Sequence, residues 1–251
     1  VWLESPTNPL LRLVDIRAIC DAAHASGARV VVDNTFLTPA LQQPLSLGAD
    51  IVVHSTTKYI NGHSDVLGGA VVCADGETAE RIAWWANCLG LTGSAFDSWM
   101  TLRGLRTLEV RMREHQQNAG IVARLLDGHP AVGCVHYPGL EHHPQHRLAV
   151  RQQRGFGGIV SLDLAGGKPA VRRFVTGLRL FSLAESLGGV ESLVAHPATM
   201  THAAMSVEAR RAAGIGDGLL RLSVGLESVR DLCRDLTMAL ARADLGEARS
   251  A

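Results

Sequence analysis

The chain has 251 residues, 47% of them hydrophobic and 19% charged, a balance that suits a packed globular protein and excludes an intrinsically disordered one. Its formal net charge is zero and its arginines are scattered among acids, so it lacks the basic stripe with which proteins grip a nucleic-acid backbone. No apolar run reaches the roughly twenty residues that span a bilayer and no signal peptide opens the chain, so a cytoplasmic protein with neither nucleic-acid nor membrane partners is expected.

Val1-Trp2-Leu3 reads as an apolar strand already under way with no initiator Met, as though an earlier part of the chain were absent. Leu13 to Ser26 places Val14, Ile16, Ile19, Ala22 and Ala23 near helical spacing and stops at Gly27. Ala28 to Asp33 is a short β-branched run that fits a strand buried on both faces, and Asp50 to Val53 and Gly69 to Cys73 repeat the pattern. Strand-helix-strand units of this kind predict an α/β fold, with a mostly parallel sheet sandwiched by helices and chemistry at the carboxyl ends of the strands, where Asp33 and His54-Ser55 fall. One long helical stretch is predicted from Ala95 to about Asp127, more polar in its second half, and Gly128-His129-Pro130 ends it. Strands at Val132 to Tyr137, Ile159 to Leu164 and Leu219 to Val224, with helices at Lys168 to Gly177 and Ser228 to Ala243, predict a second, smaller α/β domain. The expected division is 1–128, ending in the long linking helix, and 129–251.

Of the 24 basic residues only two are lysines. Arginine serves wherever a positive charge is enough, but it cannot act as an amine nucleophile, so a surviving lysine draws notice. Lys168 lies in the turn signal Gly166-Gly167-Lys168-Pro169 with no reactive neighbours and reads as a solvated charge. Lys58 stands in His54-Ser55-Thr56-Thr57-Lys58-Tyr59, twenty-five residues after Asp33 closes a strand. A carboxylate after a strand is commonly a turn or cap residue, and hydroxyls before a lysine are common in loops. Together they match what a pyridoxal 5'-phosphate enzyme needs: a lysine amine for a Schiff base with the aldehyde, a carboxylate for the pyridine nitrogen, and hydroxyls for the phosphate.

The runs Glu4-Ser5-Pro6-Thr7-Asn8-Pro9, Val32-Asp33-Asn34-Thr35-Phe36, His54 to Asp65, Ala184-Glu185-Ser186-Leu187-Gly188-Gly189-Val190-Glu191-Ser192 and Arg221 to Glu227 resemble the transsulfuration enzymes of cysteine and methionine metabolism, which are fold-type I pyridoxal phosphate enzymes. Ala83-Trp84-Trp85-Ala86-Asn87 and Gly93 to Ser98 resemble the γ-synthase branch. The resemblance implies that Lys58 is the catalytic and cofactor-binding lysine, that Asp33 pairs with the pyridine nitrogen, and that Ser55 and Thr57 bind the phosphate. It places Asn8 near the cofactor's phenolic oxygen and the substrate carboxylate, with Arg221 as carboxylate clamp and Ser186 assisting. It makes Glu185, where β-lyases carry an aromatic residue, a receiver for the amino group of incoming cysteine or cystathionine. The implied reaction is γ-replacement, in which O-succinyl-L-homoserine or another O-acylhomoserine and L-cysteine give L-cystathionine and the free acid. A γ-lyase, a sulfhydrylase using sulfide, and an inactive fragment or association module stand as alternatives. The resemblance further implies small-molecule amino-acid substrates and a homo-oligomer, a homotetramer with sites shared between paired subunits. The family's preceding segment supplies a phosphate loop, an aromatic ring on the cofactor, and Tyr and Arg groups lent to a neighbour; none of these maps onto this chain.

His142-His143 with His146 has a metal-like spacing but lies in a polar, proline-containing loop with no fourth ligand in sequence, so no metal is expected. Cys20, Cys73, Cys88, Cys134 and Cys233 are odd in number and far apart, and read as small apolar residues rather than a disulfide framework. Gly214 to Gly218 reads as a flexible connection.

Overall fold

A computed structural model describes residues 1–244, so the last seven residues of the expected second domain lie outside it. The first half runs β1 (Trp2–Glu4), α1 (Ile16–Ala25), β2 (Val31–Asp33), a four-residue helix α2 (Thr38–Leu41), a 3-10 turn at Pro44–Leu47, β3 (Ile51–Ser55), β4 (Gly69–Cys73), α3 (Gly76–Cys88), α4 (Ala95–Leu105) and α5 (Leu108–Leu126). There follow β5 (Val132–His136), α6 (His146–Gln152), β6 (Ile159–Leu164), α7 (Gly167–Gly177), β7 (Ser182–Leu183), β8 (Leu193–Ala195), α8 (Val207–Ala213), β9 (Leu219–Ser223) and α9 (Val229–Asp244).

The first sheet has the order β1-β2-β3-β4. β1, β2 and β3 are parallel in a register that sets Glu4 beside Asp33 and Asp33 beside Val53. The apolar residues of α1, Ile16, Cys20 and Ala23, recur at helical spacing and pack on Val30, Val32 and Val52. Asp15 caps this helix by accepting from the Ala18 N–H at 3.2 Å. β4 differs from expectation: it runs antiparallel to β3, with His54 opposite Ala70, and its Val71 and Val72 are exposed. No crossover helix separates it from β3. The intervening stretch, 56–68, is the loop that carries Lys58, and an antiparallel return needs only a loop.

The second sheet, β5-β6-β9-β8-β7, is antiparallel except for β7 and β8. One face packs Val160, Leu162, Leu220 and Leu222 against α5, α7 and α9, forming the largest apolar core of the molecule. β9 shows why an arginine belongs in an apolar run. Side chains alternate across a strand, so Leu220 and Leu222 enter this core while Arg221 and Ser223 point to the opposite face. That face meets the segment after β1, where the Ser161 hydroxyl donates to Pro9 O at 2.6 Å.

The single helix expected from Ala95 to Asp127 is two helices, broken at Arg106 and Thr107. Thr107 leaves the helical region with φ −110° and ψ 7°, and its hydroxyl donates to Gly104 O at 3.2 Å. The polar second half is no solvent face. Arg111, His115 and Asn118 recur at helical spacing on the buried side of α5.

Residues 142–145 form a polar loop before α6: His142 pairs with Asp127 at 3.5 Å, and His146 Nδ1, at the start of α6, lies 2.8 Å from Pro138 O. All five cysteines are free, and Cys88 and Cys134 are exposed rather than packed as small apolar residues. Gly214 to Gly218 is more than a connection, since Gly214 ends α8 at φ +84° and Ile215 is buried with Leu10 and Leu219. No helix among the described residues is long and apolar enough to cross a membrane.

Candidate active site

Where the two sheets approach each other lies a polar cavity of about 330 Å³. Its lining includes Glu4 from β1, Asn8, Asp33 at the end of β2, Thr35, Ser55 at the end of β3, Lys58, the segment Glu185-Ser186-Leu187, and Arg221 from β9. Seven of the eight residues expected to form the site therefore meet in one place. Thr57 is the exception, because its hydroxyl faces the loop's own return strand, accepting from Gly68 N at 3.0 Å and lying 3.3 Å from Gly68 O.

Lys58 and Arg221 are joined through Ser186. The Lys58 ammonium donates to Ser186 Oγ at 2.7 Å, and Arg221 Nη2 donates to Ser186 O at 2.7 Å. Ser186 holds the left-handed backbone with φ 81°, a strain that persists only where surrounding contacts over-determine it. Arg221 Nη1 also donates to Asn8 Oδ1 at 2.9 Å. At 3% exposure this guanidinium is buried, it makes no salt bridge with any described residue, and its Nε has no partner. An unpaired buried charge is costly, and a planar guanidinium on a residue that lines a polar cavity suits an incoming carboxylate.

Electrostatics support the same arrangement. Burial lowers the proton affinity of Lys58, the Arg221 charge lowers it further, and Glu185 opposes both. Burial raises the Glu4 carboxyl, and Asp33 beside it acts in the same direction against a hydrogen bond from the Asn8 backbone and the charge of Arg221. Asp33 Oδ1 accepts from the Thr35 N–H at 2.9 Å, and the Thr35 hydroxyl accepts from the Ser55 N–H at 2.9 Å, which ties the ends of β2 and β3 together. The two largest of the roomier cavities offer less chemistry. One of about 540 Å³ behind the first sheet is lined mainly by apolar groups such as Val52, Ile60 and Val72, and one of about 670 Å³ lies against α7.

Glu4, Thr35, Phe36, Leu187 and Thr201 also line the site and were missed in the sequence. Glu4 and Thr35 lie inside runs already singled out, Glu4 to Pro9 and Val32 to Phe36. Thr201 had no signal, since it follows β8 in an irregular stretch.

The donor set fits pyridoxal phosphate at the aldehyde, ring-nitrogen and substrate-carboxylate ends, with Lys58, Asp33 and the buried Arg221 guanidinium. At the phosphate end Ser55 is the hydroxyl available, while Thr57 is engaged with Gly68.

Residues 1–241 match the family model described as Cys/Met metabolism PLP-dependent enzyme. Over 246 residues the chain is 54% identical to cystathionine gamma-synthase of Escherichia coli (strain K12), covering 98% of this chain and 64% of the relative. It is 50% identical over 240 residues to cystathionine gamma-lyase of Dictyostelium discoideum, covering 96% of this chain and 62% of the relative. The crystal structure of cystathionine gamma synthase from Xanthomonas oryzae pv. oryzae, in complex with aminoacrylate and cysteine, superposes with a TM-score of 0.96 at 64% identity, covering 98% of this chain and 63% of that one. The chain thus spans just under two thirds of the length of the relatives it matches.

Proposed function

Because the chain belongs to the Cys/Met metabolism PLP-dependent enzyme family, we propose that its cavity is the cofactor and substrate site of a γ-replacement enzyme. O-succinyl-L-homoserine, or another O-acylhomoserine, and L-cysteine would give L-cystathionine and the free acid. The observation that carries this reading is the convergence of an amine, a carboxylate and an unpaired buried guanidinium on one cavity. In the proposed arrangement residues 1–128 belong to the cofactor-binding domain and 129–251 to a smaller one, in a cytoplasmic homotetramer. The exposed aromatic face of α3 and α4, with Trp84, Trp85, Phe96 and Trp99, supports association.

Bound pyridoxal phosphate supplies an electron sink that makes protons near the substrate's amino-bearing carbon labile. Lys58 would hold the cofactor's aldehyde carbon, and Asp33 would keep the ring nitrogen protonated. Ser55 would bind phosphate, joined by Thr57 once its hydroxyl exchanges its Gly68 contacts. Arg221 would take the substrate carboxylate, with Asn8 and Ser186 orienting the guanidinium. Once the substrate's own amino group has displaced it from the aldehyde carbon, the freed Lys58 Nζ would move protons at the substrate's α and β carbons, a task its lowered proton affinity favours. Glu185 is exposed at the cavity rim and near enough to influence both Lys58 and Arg221, which suits a receiver for the amino group of the second substrate.

The relative named as a γ-lyase at 50% identity favours γ-elimination as the second reading. Borohydride reduction of the chain with pyridoxal phosphate, followed by peptide mapping, should place the label on Lys58. Label confined to Lys168 and the amino terminus would overturn the cofactor site and leave an association module. Product analysis with succinylhomoserine alone, with cysteine and with sulfide then separates replacement, elimination and sulfhydrylation.

A further inference from the structure

Two buried arginines stand near Lys58, and they use their donors differently. Arg221 keeps an unpartnered Nε. Arg111 also makes no salt bridge with any described residue, but the protein takes every one of its nitrogens. Nε donates to Thr107 Oγ1 at 3.1 Å, Nη1 to Tyr59 O at 2.6 Å, and Nη2 to Ile60 O at 3.2 Å and Gly104 O at 2.7 Å. Tyr59 and Ile60 are the two residues directly after Lys58. Gly104 lies in the last turn of α4, where its carbonyl also accepts from the Thr107 N–H at 3.2 Å; carbonyls at a helix C-terminus carry partial negative charge, so this cluster takes the place of a carboxylate. A planar fork can reach three carbonyls at once; a lysine ammonium cannot reproduce that geometry.

Two glycines are shaped by this contact. A Cβ on Gly62, which has φ +77°, would run into the Arg111 guanidinium carbon at 2.6 Å, and one on Gly104 would meet Ile60 O at 2.7 Å. The break between α4 and α5 brings Gly104, Thr107 and Arg111 around the lysine loop. The Lys58 side chain is held at its tip by Ser186 and the loop at its root by Arg111.

We propose that Arg111 is the positioning residue for Lys58, its guanidinium fork fixing the 59–60 backbone so that the amine stays inside the cavity against Ser186. This rests on the reading of Lys58 as the reactive lysine.

The two-lysine composition makes a direct test possible. Reductive methylation with ¹³C-formaldehyde, without cofactor, leaves only the Lys58, Lys168 and amino-terminal signals to follow by NMR as pH is varied. The charged groups sharing the cavity with Lys58 are Arg221 on β9, Glu185 after β7, Asp33 on β2 and Glu4 on β1, and all stay in place in the variants used. In Arg111→Met the Lys58 midpoint should rise by about one pH unit as the freed loop lets water reach the amine, while the Lys168 midpoint stays where it was. Thr107→Val, which removes the hydroxyl's contacts to Arg111 Nε and Gly104 O and keeps the charge, should move Lys58 the same way by less. A purely structural Arg111 would lower thermal stability and leave the Lys58 midpoint unmoved. An unchanged midpoint in folded Arg111→Met overturns the proposal; if that variant does not fold, an unchanged midpoint in Thr107→Val does so. Borohydride trapping on the unsubstituted chain is scored separately, so failure of the cofactor reading is distinguishable from failure of this one.

Discussion

The two sheets contribute to one cavity from scaffolds of different quality. The first sheet brings Asp33 and Ser55 on short strands and Lys58 on the loop after β3, with a compact apolar layer under α1, but its edge strand β4 leaves Val71 and Val72 exposed. The second sheet brings Arg221 on the fully buried strand β9, above the large core shared with α5, α7 and α9, and Ser186 on the segment after the short edge strand β7. The Lys58 amine therefore sits on the more open scaffold and borrows rigidity from the denser one. Tyr59, fully buried and next to Lys58, shows how: added Cβ atoms on Gly158 and Gly188, both from the second half of the chain, would lie 2.8 Å from its hydroxyl and 2.9 Å from its backbone nitrogen.

Four measurements would sharpen or break this contrast. The largest effect is expected at Lys58, where Lys58→Ala should cut turnover at least roughly a thousandfold and abolish borohydride trapping while the denaturation midpoint barely moves. A stability loss as large as that of a core deletion would show that the amine is part of the scaffold. Next comes Leu220→Ala in the second core, expected to cost about 2–5 kcal/mol in chemical denaturation; a loss below about 1 kcal/mol would remove the claim that this region is the denser.

Between these and the smallest effect lies the pH response of His115. Its ring is fully buried, with Nδ1 2.7 Å from Val224 O, and burial depresses its proton affinity from 6.5 to about 4. The unfolded chain binds this proton below about pH 6.5 and the folded one only near pH 4, so stability is retained above 6.5 and lost as pH falls through that window. At about 1.4 kcal/mol per unit the loss reaches about 3 kcal/mol. A His115→Asn variant should show a correspondingly flatter midpoint-versus-pH curve over that range, and an identical curve would mean that the ring is not kept neutral. Last, Val72→Thr on the open edge should change stability by less than about 0.5 kcal/mol. A cost approaching that of Leu220→Ala would erase the difference between the sheets.

What could be read from the sequence was local. Asp33 and Ser55 end β-branched runs, and in a sheet of this kind strand ends are where reactive groups collect. Arg221 was conspicuous because a charge inside an apolar run needs a reason. The direction of β4 was not legible, since Gly69 to Cys73 has the same composition whether it pairs parallel or antiparallel with β3. Nor was the break at Thr107, which lies beside Arg111 and its contacts to carbonyls 51 and 52 residues earlier in the chain. The burial of His115 and Asn118 escaped notice for a similar reason: both serve the strap after β9, with Asn118 Nδ2 donating to Gly225 O at 3.0 Å. Thr57 was read by its place beside Lys58, yet its hydroxyl is committed to Gly68 through a loop closure that no spacing rule encodes.

The hydrogen bonds that close the cavity span long stretches of chain: 128 residues between Lys58 and Ser186, 152 between Ser161 and Pro9, and 213 between Arg221 and Asn8. Contacts so distant along a polymer form only after its loops have closed, and that entropy must be met before they return any stabilisation. In refolding, helical signal and the core of the second sheet should therefore recover first, and the seam joining Asn8, Ser186 and Arg221 last. A newly made chain would pass through a stage at which it is largely structured but still has no pocket to offer.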